Sequence, residues 1–301
     1  MKSLTVSIFV ILFAITLTLG GYLIYNQANT LKEYRSDLSV LSSKNLTLER
    51  SYEEVLGESS NVSVSVNGVS SKTNLIADVI TEYTRVIDGD VSVYYKNLTT
   101  DETVLVSGEK EYYMASLYKL IVTLFVLQQE KEGKLHFTDE IGSPPLTIEE
   151  ALTRIITESN NEYAQAIAKK YGWEEIESVM RSRLGIPFRF DSSLETNALS
   201  IGTLLTDVSQ SIRINDTESS YMLALMNKQQ RTGKLPKYLP KNIYSHNKTG
   251  EFEQFSHDAG IFYTPKANYV LVFMSKTGSP GVTDEKMAQM SEVIYKTLND
   301  K

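Results

Sequence analysis

Ser116-Leu117-Tyr118-Lys119 places a hydroxyl and an amine three positions apart at the head of an apolar run. On a helix such positions share a face, so the amine reaches the hydroxyl. A hydroxyl is a poor nucleophile until a neighbour takes its proton, and a lysine takes it only when burial or a second cation lowers its pKa. The N-terminus of the helix adds a field that favours developing negative charge. The chemistry on offer is nucleophilic catalysis by an activated hydroxyl on Ser116, though the spacing by itself is a weak signal. The same spacing recurs at Ser245-His246-Asn247-Lys248, but in a stretch that reads as extended, where positions three apart point to opposite faces.

Two further elements follow in order. Ser159-Asn160-Asn161 lies at a helix-to-helix junction, and Lys248-Thr249-Gly250 precedes the closing strands. Short motifs recur by chance. Lys276-Thr277-Gly278 repeats the last one, in what reads as a surface turn, and S-x-N recurs at Ser43 and Ser59. The ordered set of S-x-x-K, S-x-N and K-T-G, each in its structural context, resembles the class A β-lactamases and related penicillin-binding serine acyltransferases, from about Asn74 to the C-terminus. The resemblance implies that Ser116 attacks a strained or D-Ala-type amide and forms an acyl-enzyme, with Lys119 as its proton partner. It implies that Ser159, helped by Lys248, passes the proton to the leaving nitrogen, and that Asn161 holds the substrate's side-chain amide. It implies that Thr249 binds the substrate carboxylate, with Gly250 beside it in the substrate-binding set. The resemblance also implies that the backbone N–H groups of Ser116 and Glu251 form the oxyanion hole, donors worth about 3 to 4 kcal/mol each. No cofactor is implied.

The pattern departs from the family in three places. Asn160 stands where an aspartate is usual. The long loop that carries the water-activating glutamate is reduced to Gly185–Leu199, in which Glu195 and Asn197 are the local candidates; Glu195 aligns better with the loop's closing acid than with the water activator. Loss of a general base costs about 10²- to 10⁴-fold, so acylation would outlast hydrolysis. Finally, Ala259 occupies the strand position of the arginine that often holds the substrate carboxylate, and Lys237 is the substitute the sequence offers.

These residues need elements to position them. A helix carrying Leu75, Val79, Ile80, Tyr83 and Val86 ends near Asp88-Gly89; a hairpin follows, with Val91, Val93 and Tyr95 alternating before a turn at 98–102 and Val104 and Val106 after it. Leu117–Leu127 is apolar nearly all round and reads as a buried helix, while Thr147 with Glu150 forms a capping box that opens the next one. Helices continue through Gln230. Strands at Ile261–Tyr263 and Tyr269–Met274 precede a terminal helix from about Asp284 to Leu298. Strands at both ends of a helical middle predict an α+β sandwich: one antiparallel sheet flanked by helices, meeting an all-helical lobe at a cleft.

Upstream, residues 1–26 read as a membrane anchor, with no charge from Ser3 to Leu31 and an apolar stretch from Leu4 to Tyr25 that is about 33 Å long as a helix. A cleaved signal peptide is the rival reading. Residues 27–56 read as a helical stalk with Leu31, Tyr34, Leu38, Leu41, Asn45, Leu48, Tyr52 and Val55 on one seam, which would pair a homodimer or remain a single helix. Residues 57–73 read as a linker, and 74–301 as the serine hydrolase domain. Charge on either side of the span is nearly balanced, so orientation rests on the substrate: peptidoglycan and β-lactams are met outside the cytoplasm.

Composition narrows the alternatives. A net charge of -7 with no basic run argues against nucleic acid as a partner. The absence of cysteine excludes disulfides, thiolate nucleophiles and cysteine-ligated metals. His136, His246 and His257 lack metal-ligand spacing and read as surface or loop residues, and no G-x-S-x-G elbow supports a Ser-His-Asp hydrolase. Three functions fit: a β-lactam hydrolase, a D,D-peptidase or transpeptidase acting on peptidoglycan stem peptides, and an anchored β-lactam-sensing protein that is acylated without turning over.

Overall fold

The computed structural model describes residues 63–67, 70–190 and 193–299. The anchor and stalk expected in residues 1–56 lie outside the described residues, and among the described residues no helix is long and apolar enough to cross a membrane.

Six strands form one antiparallel sheet: β1 (Val64–Asn67), β2 (Gly89–Asn97), β3 (Thr103–Val106), β8 (Tyr244–Phe252), β9 (Phe255–Tyr263) and β10 (Asn268–Thr277). Their order is β1-β3-β2-β10-β9-β8, which leaves β8, the strand carrying Lys248-Thr249-Gly250, at one edge. The early hairpin and the late strands thus share a sheet through β2 and β10, with Tyr95 opposite Leu271 and Val93 opposite Phe273.

The pleat sorts the side chains of β10 into two cores. Tyr269, Leu271 and Phe273 pack with Ile76 and Ile80 of α1 (Ser71–Arg85) and with Met287, Met290 and Ile294 of α8 (Pro280–Asn299). Val270, Val272 and Met274 face the opposite way, into the larger core of the helical lobe. At its centre is α2 (Tyr118–Lys131), in which every residue from Tyr118 to Leu127 is buried. A helix apolar on all sides has no face for solvent, and this one is enclosed as its composition requires.

Around α2 stand α3 (Ile148–Thr157), α4 (Asn161–Tyr171), α5 (Trp173–Leu184), α6 (Ala198–Gln210) and α7 (Asp216–Met226). The predicted capping box at Thr147 and Glu150 is present. α5 stops at Gly185, whose left-handed backbone (φ 65°) suits a residue without Cβ. A two-stranded ribbon of β4 (Glu111–Tyr113) and β7 (Glu195–Asn197) crosses between the lobes; a hairpin of β5 (Glu140–Ile141) and β6 (Leu146–Thr147) precedes α3.

Several boundaries differ from the sequence reading. The stretch expected as linker, 57–73, contains β1, whose Val64 lies opposite Val106, and the first residues of α1, which Ser70 caps by accepting from the Thr73 N–H at 3.2 Å. Alternating serine and valine therefore serve as an edge strand here. The terminal helix begins four residues early at Pro280, because proline has no N–H to leave unpaired at a first helical position. Lys276 and Thr277 end β10 and are not in a surface turn; Thr277 is buried and bonds Thr283. His257, expected on the surface or in a loop, is fully buried in β9.

Candidate active site

Ser116 is the middle residue of a single 3₁₀ turn, Ala115–Leu117, that leads directly into α2. Its hydroxyl is half-buried, whereas Lys119, one turn on, is enclosed completely. The Lys119 amine lies 3.0 Å from Ser116 Oγ, 3.1 Å from Ser159 Oγ, 2.6 Å from the Ser159 carbonyl and 2.6 Å from Asn161 Oδ1. From the far side, the Lys248 amine donates to Ser159 Oγ at 2.8 Å and to the Thr249 carbonyl at 2.8 Å. The Ser159 hydroxyl therefore stands between two amines, one of which touches Ser116. Three distant stretches of chain, on α2, before α4 and on β8, are joined into one proton-exchange network.

Electrostatics poise that network. Burial, with Arg231 contributing, lowers the Lys119 pKa to about 7. Burial also holds Lys248 well below the ordinary lysine range, with Lys119 and Arg231 adding like-charge repulsion. An amine near 7 is part neutral at neutral pH and has a lone pair to offer the Ser116 proton.

Local backbone makes this convergence available. Ala115 and Ser159 both adopt left-handed φ, 46° and 61°, conformations that cost an L residue on the order of 1 kcal/mol or more and cluster at functional sites. Asn160, between Ser159 and Asn161, caps α4 by accepting from the Tyr163 N–H at 3.1 Å. Asparagine and aspartate cap equally well, which explains why this position accepts the departure from aspartate. Asn160→Asp is expected to change stability by only a few tenths of a kcal/mol and Asn160→Ala to cost about 1 kcal/mol, read by urea unfolding.

The edge strand β8 is drawn close to the nucleophile turn at Gly250. A Cβ there would meet the Met114 carbonyl at 3.1 Å, His257 Cδ2 at 3.2 Å and Leu117 Cγ at 3.3 Å. His257 lies beneath it as a clamp. Its Nδ1 accepts from the Ser275 N–H at 3.1 Å, so Nε2 carries the proton and donates to the Tyr113 carbonyl at 2.8 Å. The neutral ring thereby fastens the chain entering the nucleophile turn to the central strand β10, and burial lowers its pKa to about 4. Nothing in its sequence spacing marks this role, which depends on three strands meeting.

Other anticipated residues fall as follows. Thr249 is buried on β8 opposite Asp258. The Glu251 side chain bonds Arg231 and Lys234 at 3.1 and 3.0 Å. The structure does not join Glu195 to the Ser116 cluster; its carboxylate pairs with Arg189, which also binds Glu111 at 2.6 Å. Lys237 is engaged by Glu285 at 2.6 Å beside the start of α8. Arg231 is the cation whose charge bears on both Lys119 and Lys248, a residue the sequence reading missed because it lies in an irregular polar segment after α7. A cavity of about 1000 Å³ opens beside Tyr118, walled by Trp173, Phe190 and Leu194, with Glu174 and Glu177 also on its lining. The Tyr118 ring centroid is 5.7 Å from the Lys119 amine, so this space borders the cluster. Among the described residues no group of three or more histidine or acidic side chains is placed to hold a metal.

Comparison with known proteins bears on the family and the fold. Residues 72–298 match the family model described as the β-lactamase enzyme family. No curated protein sequence matches the chain. Among solved structures, a PBP-A variant captured as its acyl-enzyme with penicillin G superposes with a TM-score of 0.71 at 19% identity, covering 76% of this chain and 97% of that one. A β-lactamase from Chitinophaga pinensis gives 0.68 at 16% identity, covering 76% and 100%. One from Xanthomonas campestris gives 0.69 at 14% identity, covering 77% and 100%. At such identities these likenesses speak to the fold.

Proposed function

The chain belongs to the β-lactamase enzyme family, and from that membership we propose that it is an active-site serine hydrolase whose Ser116 takes an acyl group from a β-lactam or a D-Ala-D-Ala-like amide. The observation that carries this reading is the position of the Lys119 amine, 3.0 Å from Ser116 Oγ and 3.1 Å from Ser159 Oγ. Neutral Lys119 takes the Ser116 proton as Oγ bonds to the carbonyl carbon. The N–H groups of Ser116 and Glu251 hold the oxyanion. As the C–N bond breaks, the proton passes by way of Ser159, kept in place by Lys248, to the leaving nitrogen. Asn161, exposed to the cleft and bonded to Lys119, holds the acyl side chain. The PBP-A variant trapped with penicillin G on a similar fold supports this chemistry.

A second reading, a D,D-peptidase or transpeptidase of peptidoglycan, or an acylated sensor, draws support from Glu195, whose carboxylate is paired with Arg189 and not with the Ser116 cluster. In every version the domain works outside the cytoplasm, held there by the N-terminal segment expected to be an anchor.

Fluorescent penicillin followed by intact-mass and peptide mapping tests the assignment. The expected result is one adduct, on Ser116, lost completely in Ser116→Ala. An adduct on another residue, or none with β-lactam, thioester or depsipeptide donors, would remove it.

A further inference from the structure

The substrates considered above carry a free carboxylate close to the scissile bond, and the cleft must meet that charge with a cation. Lys248, Lys234 and Arg231 are cations carried by β8 or bonded to its Glu251. Lys248 is fully buried and turned to Ser159 and the Thr249 carbonyl. Lys234 is almost as deeply enclosed, bonding Ser256 Oγ at 2.7 Å and the His257 carbonyl at 3.3 Å. Arg231 alone of the three opens to solvent, its side chain 49% exposed, and its charge is permanent.

That guanidinium is not free. Glu251 directly follows Lys248-Thr249-Gly250 on β8, and its Oε2 accepts from Arg231 at 3.1 Å while Oε1 is braced by Lys234 at 3.0 Å. Burial works to raise the Glu251 carboxyl, but the neighbouring Lys234 and Arg231 charges together outweigh it and hold the group below the usual carboxylate range, so it is anionic at neutral pH. A second brace fixes the arginine itself: the Arg231 N–H donates to Gln229 Oε1 at 2.9 Å, and its carbonyl accepts from Asn247 at 3.3 Å. The protein thus supplies its own carboxylate to the only solvent-facing cation of this group.

We propose that Glu251 sets the charge preference of the site: by occupying Arg231 it disfavours acyl donors with a free terminal carboxylate and favours those whose terminus is neutral, such as amidated or esterified peptides. An incoming carboxylate has to displace Glu251 and then lie beside it, paying for one broken ion pair and one like-charge contact. A neutral terminus meets neither cost. This inference rests on Ser116 being the acylated residue.

The test uses two depsipeptide donors, identical except that one ends in a free carboxylate and the other in its primary amide, with acylation of Ser116 followed by mass spectrometry. In Glu251→Gln the ratio of kcat/KM for carboxylate over amide donor is expected to rise about three- to tenfold, chiefly through a lower KM for the carboxylate donor. Adding Arg231→Gln should take that gain away. A ratio that stays put or moves toward the amide overturns the proposal, and so does a gain that survives loss of Arg231. General damage to the fold slows both donors alike and leaves the ratio unmoved, which also counts against it. If neither donor acylates Ser116 in the parent protein, the serine-nucleophile reading itself fails.

Discussion

Lys119→Met is expected to slow acylation of Ser116 by about 10²- to 10⁴-fold, the range for removing a positioned proton acceptor. Methionine fills a similar volume in a site with no solvent exposure, so the substitution removes the amine with little change in packing. It leaves the Ser159 carbonyl and Asn161 Oδ1 without their 2.6 Å partner, so retention of the fold should be checked by circular dichroism. The pH profile separates the proton role from a packing role. With the Lys119 pKa lowered to about 7, acylation of the parent rises as the amine loses its proton and levels off above that pH. The variant should lack this step. A variant that acylates within tenfold of the parent with the same inflection would show that the proton goes elsewhere.

The second large effect concerns release of the acyl group. Hydrolysis needs a group to activate water, and the two carboxylates closest in sequence to the family's expected positions are committed elsewhere: Glu195 to Arg189, and Glu251 to Arg231 and Lys234. Among the described residues no acidic side chain is bonded to the Ser116, Lys119, Ser159 and Lys248 cluster. A chromogenic cephalosporin is therefore expected to give a burst of about one equivalent per Ser116, followed by turnover on the order of 10²- to 10⁴-fold slower than the burst. Steady turnover at the burst rate would identify an efficient β-lactam hydrolase and refute the expectation. A long-lived adduct would favour the peptidase or sensor readings.

Much of the site is legible in the sequence because its signals are local. Ser116 and Lys119 share a helical face, Thr147 and Glu150 cap a helix across three residues, and the apolar run after Ser116 declares a buried helix. The decoy Ser245-His246-Asn247-Lys248 is likewise excluded by its extended setting, which β8 bears out. What escapes is built from long-range contact. Arg231 matters because an irregular segment brings it alongside β8. His257 matters because its two nitrogens reach Tyr113 and Ser275 from different parts of the chain. The β1 strand hides for another reason: four residues of alternating serine and valine look like a linker until β3 supplies a partner.

The buried neighbours His257 and Asp258 also bear on how the protein tolerates mild acid. Burial pulls the histidine from its ordinary 6.5 to about 4, and pushes the aspartate from 3.8 to about 6. Between about pH 6 and 4 the unfolded chain takes up a proton on the histidine that the native chain refuses, so this group withdraws stability as the medium acidifies. Over nearly the same interval the native chain protonates the aspartate ahead of the unfolded one, so this group adds stability. The two slopes run in opposite directions. Adjacent positions on one strand thus act as mutual counterweights, and the floor under the nucleophile gains or loses little net proton affinity on unfolding across that span.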